Sequence, residues 1–265
     1  MKRICALALA FLAVVVATVS AHDTWLLPSS LRVSAGQPVR LSLTSGMGFP
    51  ADDVAVQPAR VARAHVRLAG RSAPLGAPRV GSLSTLYEWT PANAGVATIG
   101  VALGARTLEL TASQIDEYFE EIHATPAMRA AWDSVPKPRR WRESYVKHAK
   151  THVRVGAPPA GDSSWREPAG LGLELVAERD PTMLRAGDTL VIRALEHGRP
   201  AVGLEIGAIR EGAKARFFTT DANGRARIVL PVAGLWLLNG TSLRRAREPG
   251  LEWRSDFTTL TIAVQ

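Results

Sequence analysis

Apolar residues recur along most of this chain in short runs with a period of two. In "RVARAHVRLAG", Ala62, Ala64, Val66 and Leu68 fall on one face and Arg63, His65 and Arg67 on the other, the pattern of a half-buried strand with its polar side in solvent. "RVSAGQPVRLSLTSG" places a Gly-Pro turn before alternation at Val39, Leu41 and Leu43, and "AGVATIGVAL" reads as a further strand. From Trp25 to about Leu110 the spacing of runs and turns predicts an antiparallel sandwich.

The period then changes. Thr111 and Gln114 form a capping-box pattern ahead of "ASQIDEYFEEI", where Ile115, Tyr118, Phe119 and Ile122 make one helical stripe. Thr125-Pro126 restarts a short helix as cap and first-turn proline. "RRWRESYVKHAK", Arg139 to Lys150, predicts a third helix before "THVRV" becomes extended. Residues 157–170 are rich in Pro, Gly and Ser and read as a linker. Beyond them come "DTLVIRAL", "GLEIGAI", "ARFFTT", "RARIVLP", "LWLLNGT" and "FTTLTIAV", with "EHGRP" and the hairpin turn "DANG" between. The expected fold is mainly β: two Ig-like or prealbumin-like β-sandwich domains, residues 22–156 and 171–265. A short helical segment, 112–150, is inserted between them.

Residues 1–21 have the form of a cleaved signal peptide: Lys2 and Arg3, an apolar run from Ile4 to Thr18, then Val19-Ser20-Ala21 as the cut site. The expected location is therefore periplasmic. The single cysteine, Cys5, lies inside that segment, so any metal site in the mature chain must use imidazole, carboxylate or amine. The formal charge is +8, of which Lys2 and Arg3 contribute two units. Between Lys137 and Arg154 lie seven basic residues with Trp141 and Tyr145 among them. Export argues against nucleic acid as their partner and for a solvated rim or anion-binding surface. No serine sits in Gly-x-Ser-x-Gly, and no Gly-rich phosphate loop occurs.

Cleavage after Ala21 would make His22 the first residue of the mature protein. Its α-amine and ring Nδ1 could then chelate one metal, and one further imidazole would complete a three-nitrogen histidine brace. Such a set favours copper, which heads the affinity order for nitrogen ligands. The remaining histidines are His65, His123, His148, His152 and His197. The first reads as solvated on its strand, the second as a cation at a helix C-terminus, and His197 as a turn residue. His148 and His152 are the candidate second ligands, four residues apart in a basic stretch.

"AHDTWLLP", "RESYVKHAKT" and "GLWLLNGTSLRRA…WRSDFTTLTI" together resemble a bacterial domain-of-unknown-function family grouped with NikM-like periplasmic nickel and cobalt uptake proteins. "GRPAVGLEIGAI…FTTDANGRARIVLP" is also similar to the regulatory sandwich of carboxypeptidases. The resemblance implies a non-catalytic, exported protein of metal uptake or delivery, with a metal ion and a membrane metal transporter as partners. Nickel or cobalt is then the alternative to copper. The common amino-terminal Cu/Ni motif needs histidine at mature position three, where Thr24 stands, which points to a different chelate. Two other functions fit the same residues. One is a brace-type copper oxidase or monooxygenase using tryptophans as a carbohydrate platform; the other is a structural two-sandwich protein without metal.

Overall fold

A computed structural model describes residues 22–265; the expected signal segment and Cys5 lie outside the described residues. The first half comprises β1 (Asp23–Pro28), β2 (Arg32–Val33), β3 (Val39–Gly46), β4 (Val54–Ala55), β5 (Val61–Leu68), β6 (Arg71–Pro74), β7 (Arg79–Val80), β8 (Thr85–Trp89), β9 (Gly95–Leu103) and β10 (Arg106–Leu110). Helices α1 (Ala112–Glu121) and α2 (Pro126–Asp133) lead into β11 (Trp141–Val155). There follow β12 (Leu173–Ala177), β13 (Asp188–Glu196), β14 (Arg199–Pro200), β15 (Glu205–Arg210), β16 (Arg216–Thr219), β17 (Arg225–Leu230), β18 (Gly234–Arg245) and β19 (Trp253–Val264). Among the described residues no helix is long and apolar enough to cross a membrane.

The mainly β class is as the alternating runs predict, and the strands form three sheets. The first runs β1-β3-β8-β7 with β4 on β3; the third runs β12-β13-β14 with β17 on β13. Between them lies a ten-stranded sheet whose main path is β16-β15-β18-β19-β11-β9-β5-β6. Its middle is the parallel pairing of β11 with β19, from Glu143 opposite Trp253 to Thr151 opposite Thr261. Strands from the two halves of the chain thus share one sheet. The first sheet packs on one face, over Ala97, Ile99, Ala149 and Val153; the third packs on the other, over Leu238, Leu260 and Ile262.

Strand β11 replaces the third helix expected over Arg139–Lys150. Its odd positions Ala149, Val153 and Val155 enter the core under the first sheet. Its even positions His148, Lys150 and His152 point the opposite way and are also buried. With both faces covered, the polar-out half of the strand signature is missing, and charges sit where apolar residues are expected. Each is partnered. Lys150 Nζ stands 2.7 Å from Glu174 Oε1, and Arg154 Nη1 stands 3.0 Å from Asp180 Oδ2. Glu174 also accepts from the backbone N–H groups of Ala169, Gly170 and Leu171 at 2.7, 3.0 and 3.3 Å. Burial alone would raise this carboxyl, but the Lys150 ammonium and these donors hold it below its ordinary value.

Four further expectations change. The stretch 157–170 does more than connect: Trp165 is buried in a core, and Asp162 Oδ2 accepts from Val96 N–H at 2.9 Å. Arg63 and Arg67 donate to carbonyls between Ser164 and Gly170, so the supposedly solvated face of β5 is covered and His65 is half-buried beneath it. "DANG" does turn the chain, with Gly224 N–H bonded to Asp221 C=O at 2.9 Å, but it joins the central sheet to the third and is not a hairpin. All seven tryptophans are buried or half-buried, which leaves no exposed tryptophan platform. Trp141 stacks on Trp253 at 4.8 Å in the core under α1 and α2.

Glu174→Gln leaves one acceptor oxygen where two now serve Lys150 and the three N–H groups, turns an amide NH2 toward donors, and leaves the Lys150 ammonium buried without a counter-charge. The expected cost is about 3–5 kcal/mol of stability, read from the urea midpoint.

Candidate functional site

The main chain at His22–Thr24 is fixed from three directions. Asp23 and Thr24 pair with Gly46 and Ser45 of β3. The Thr259 hydroxyl of β19 donates to the Thr24 carbonyl at 2.6 Å, and Lys147 Nζ of β11 donates to the His22 carbonyl. Asp23 therefore has a defined place. It lines a cleft of about 210 Å³ closed by the end of α1 and by β15, β16 and β18. Glu121, His123, Glu205 and Asn239 line it too.

Asn239 Nδ2 donates to Asp23 Oδ2 at 2.9 Å. Its side chain lies across Gly207 of β15, where a Cβ would meet Asn239 Oδ1 at 2.3 Å, so only glycine admits it. Burial raises the Asp23 carboxyl to about 6, against the lowering effects of Asn239 and of Lys147. Burial also brings Lys147 down to about 8 although Asp23 opposes that shift. Asp23 at this end of the cleft and Lys147 nearby thus act on each other's charge, and burial makes each costly to keep charged.

At the other end stands His123, just after the C-terminus of α1, with φ +49° in the left-handed region. Its ring stacks on Phe217 at 3.6 Å and 10°. Nε2 stands 3.0 Å from Glu205 Oε2, and Thr219 Oγ1 donates to Glu205 Oε1 at 2.9 Å. The helix-end role expected for His123 does not account for these contacts. The signal in the sequence was that histidine, rather than the usual glycine or asparagine, follows the helix.

The predicted second ligands lie elsewhere. His148 is on the opposite face of the central sheet, buried beside Gly172, with Nε2 3.3 Å from Asp256 Oδ1. His152, on that same far face, has Nδ1 3.2 Å from Thr98 Oγ1. The structure does not bring His22 together with either, because the sheet itself stands between them. Near His148, ligand atoms of Glu196, His197 and Asp256 lie within 4.8 Å of one another. Arg244 already fills the cation's place there, 2.6 Å from Glu196 Oε1 and 2.9 Å from Asp256 Oδ2. His197 is exposed in a two-residue hairpin turn, as expected.

Residues 19–242 match the family model described as "Domain of unknown function (DUF4198)". The chain belongs to this family. The match spans the candidate cleft except Phe257, which lies beyond it. No curated protein matches the sequence. Among solved structures the chain is similar, at 12% identity, to the Yersinia pseudotuberculosis adhesin InvE, covering 91% of this chain and 58% of that one with a TM-score of 0.24. The fibronectin(III)-like modules of Clostridium thermocellum CbhA are 12% identical, with 89% and 93% covered and a TM-score of 0.18. A marsupial T cell receptor is 8% identical, with 90% and 73% covered and a TM-score of 0.24. Superpositions this loose add nothing about function.

Burial, with Lys150 and Arg67 nearby, holds the His152 ring well below its ordinary 6.5. Below pH 6.5 the unfolded chain therefore takes up a proton that the folded chain refuses. Stability from this group is complete above 6.5 and is lost as the pH falls toward the folded value. His65, also lowered by burial, acts in the same sense. His152→Asn should flatten the acid side of the stability–pH curve by about 1.4 kcal/mol per pH unit, measured by urea unfolding between pH 7 and 5.

Proposed function

We propose that this is an exported metal-binding protein of the bacterial envelope that takes up or hands on one transition-metal ion. In this reading His22 is the first residue of the processed chain and chelates the ion through its α-amine and imidazole. The observation that carries the reading is the placement of His22, Asp23 and Thr24, held on three strands beside a cleft that contains an imidazole and carboxylates. The donor set fits a divalent transition metal. Nitrogen ligands from His22 and oxygen from Asp23 suit Cu(II) first and Ni(II) or Co(II) after it. Lys147 serves the reading by tying down the His22 carbonyl, which orients the terminal residue before any ion arrives. A metal ion is the bound partner, and a membrane transporter is the recipient that uptake or delivery calls for. With every tryptophan buried or half-buried, the described residues offer no exposed tryptophan platform of the kind a polysaccharide-oxidising enzyme would use.

Intact mass of protein exported to the periplasm should show loss of residues 1–21. That processed protein should bind one Cu(II) per chain in a calorimetric titration. Adding one residue ahead of His22 keeps the imidazole but moves the amine out of chelating reach, and affinity should drop about a hundred-fold with the loss of one arm. Equal affinity of the extended and processed forms would remove the terminal chelate.

A further inference from the structure

We infer that His123 supplies the second imidazole of this site through Nδ1, and that Glu205 is its positioning carboxylate; this rests on the amino-terminal metal reading given above. Four observations converge. His123 and Asp23 line the same cleft, linked by a continuous wall in which Asn239 touches Asp23 and overlies Gly207, and Phe217 stands opposite Gly207 in the strand pairing. The His123 ring is stacked flat on Phe217, which fixes its plane. The Glu205 carboxylate stands 3.0 Å from Nε2, and this negative charge favours keeping the proton on that nitrogen. Nδ1 is left with its lone pair and has no partner among the described residues. Thr219 in turn holds Glu205. An imidazole held at one nitrogen by a carboxylate and open at the other is the usual support of a metal-binding histidine.

The backbone adds a fourth point. With φ +49°, His123 occupies a conformation in which glycine would be easier, directly after a helix. A side chain retained there at a conformational cost is explained if the side chain has work to do. Of the described histidines His123 alone lines this cleft, which His22 adjoins through its chain neighbour Asp23.

The same geometry makes the test clean, because His123→Gly relieves the backbone while deleting the imidazole. Processed protein, the His123→Gly and Glu205→Gln variants, and the form extended by one residue before His22 are each titrated with Cu(II) and examined by electron paramagnetic resonance. Thermal unfolding without metal serves as the fold control. We expect His123→Gly to unfold at the same or a higher temperature, to bind copper about ten- to a hundred-fold more weakly, and to lose one nitrogen from the superhyperfine pattern. Glu205→Gln should weaken binding by about ten-fold with the nitrogen count unchanged, as expected of a residue that positions a ligand. Added free imidazole should restore the missing nitrogen signal in His123→Gly. If His123→Gly keeps wild-type affinity and spectrum while the extended form loses both, the amino-terminal site stands and His123 is not its ligand. If neither change alters copper binding, the amino-terminal reading itself falls, and this inference with it.

Discussion

The parallel pairing of β11 with β19 governs this molecule. It joins strands from opposite halves of the chain into one ten-stranded sheet and exposes each face of β11 to a different layer. Ala149, Val153 and Val155 must then be apolar for the first sheet, while His148, Lys150 and His152 are buried against the far side. A slip of one residue would push Lys150 into the apolar core and Ala149 opposite Glu174. The Lys150–Glu174 pair, closed further by three backbone N–H groups, therefore specifies register more than it adds net stability. Charges along a central strand are costly to bury, so the register that matches all of them is strongly selected.

The cleft follows from this arrangement. Because β1 lies across β11 and β19, His22 and Thr24 meet Lys147 and Thr259 from the central sheet and Ser45 from the first. Helix α1 packs on the same face through Tyr118 and Phe119, so its end delivers His123 beside β15 and β16. Residues about a hundred positions apart are thereby gathered on one side. The same sheet separates them from His148 and Arg244, which form an ion-paired cluster of their own on the other side. A sheet is an effective partition, since its backbone groups are all engaged and its side chains reach only one way each.

Particular elements show what could be read in advance and why. Gln114 accepts from Thr111 N–H at 2.9 Å, and Thr125 Oγ1 accepts from Met128 N–H at 3.3 Å, as the local cap patterns require. Those are contacts within three residues, and local sequence decides them. Strands β13 and β17 bury alternate positions, because one face of each is a core. Strand β11 lacks a strand signature in its sequence because its polar face is buried through partners distant in sequence, Glu174, Asp256 and Thr98. The cover over His65 is hidden from local sequence for the same reason, being a segment about a hundred residues later.

By itself, then, the sequence determined the β class, both helices with their caps, the turn positions and the candidacy of His22. Each depends on periodicity, on turn chemistry or on one residue's place in the chain. Only the tertiary structure decided which face of the central sheet each histidine occupies. It set His148 and His152 on the far side and gave His123 a stacked ring and a carboxylate neighbour in the cleft with Asp23. The physical reason is that a side chain's direction follows from strand parity and helix phase, whereas its neighbours follow from which strands pair. That pairing is fixed by long-range burial, above all along β11 and β19, and no local window of sequence contains it.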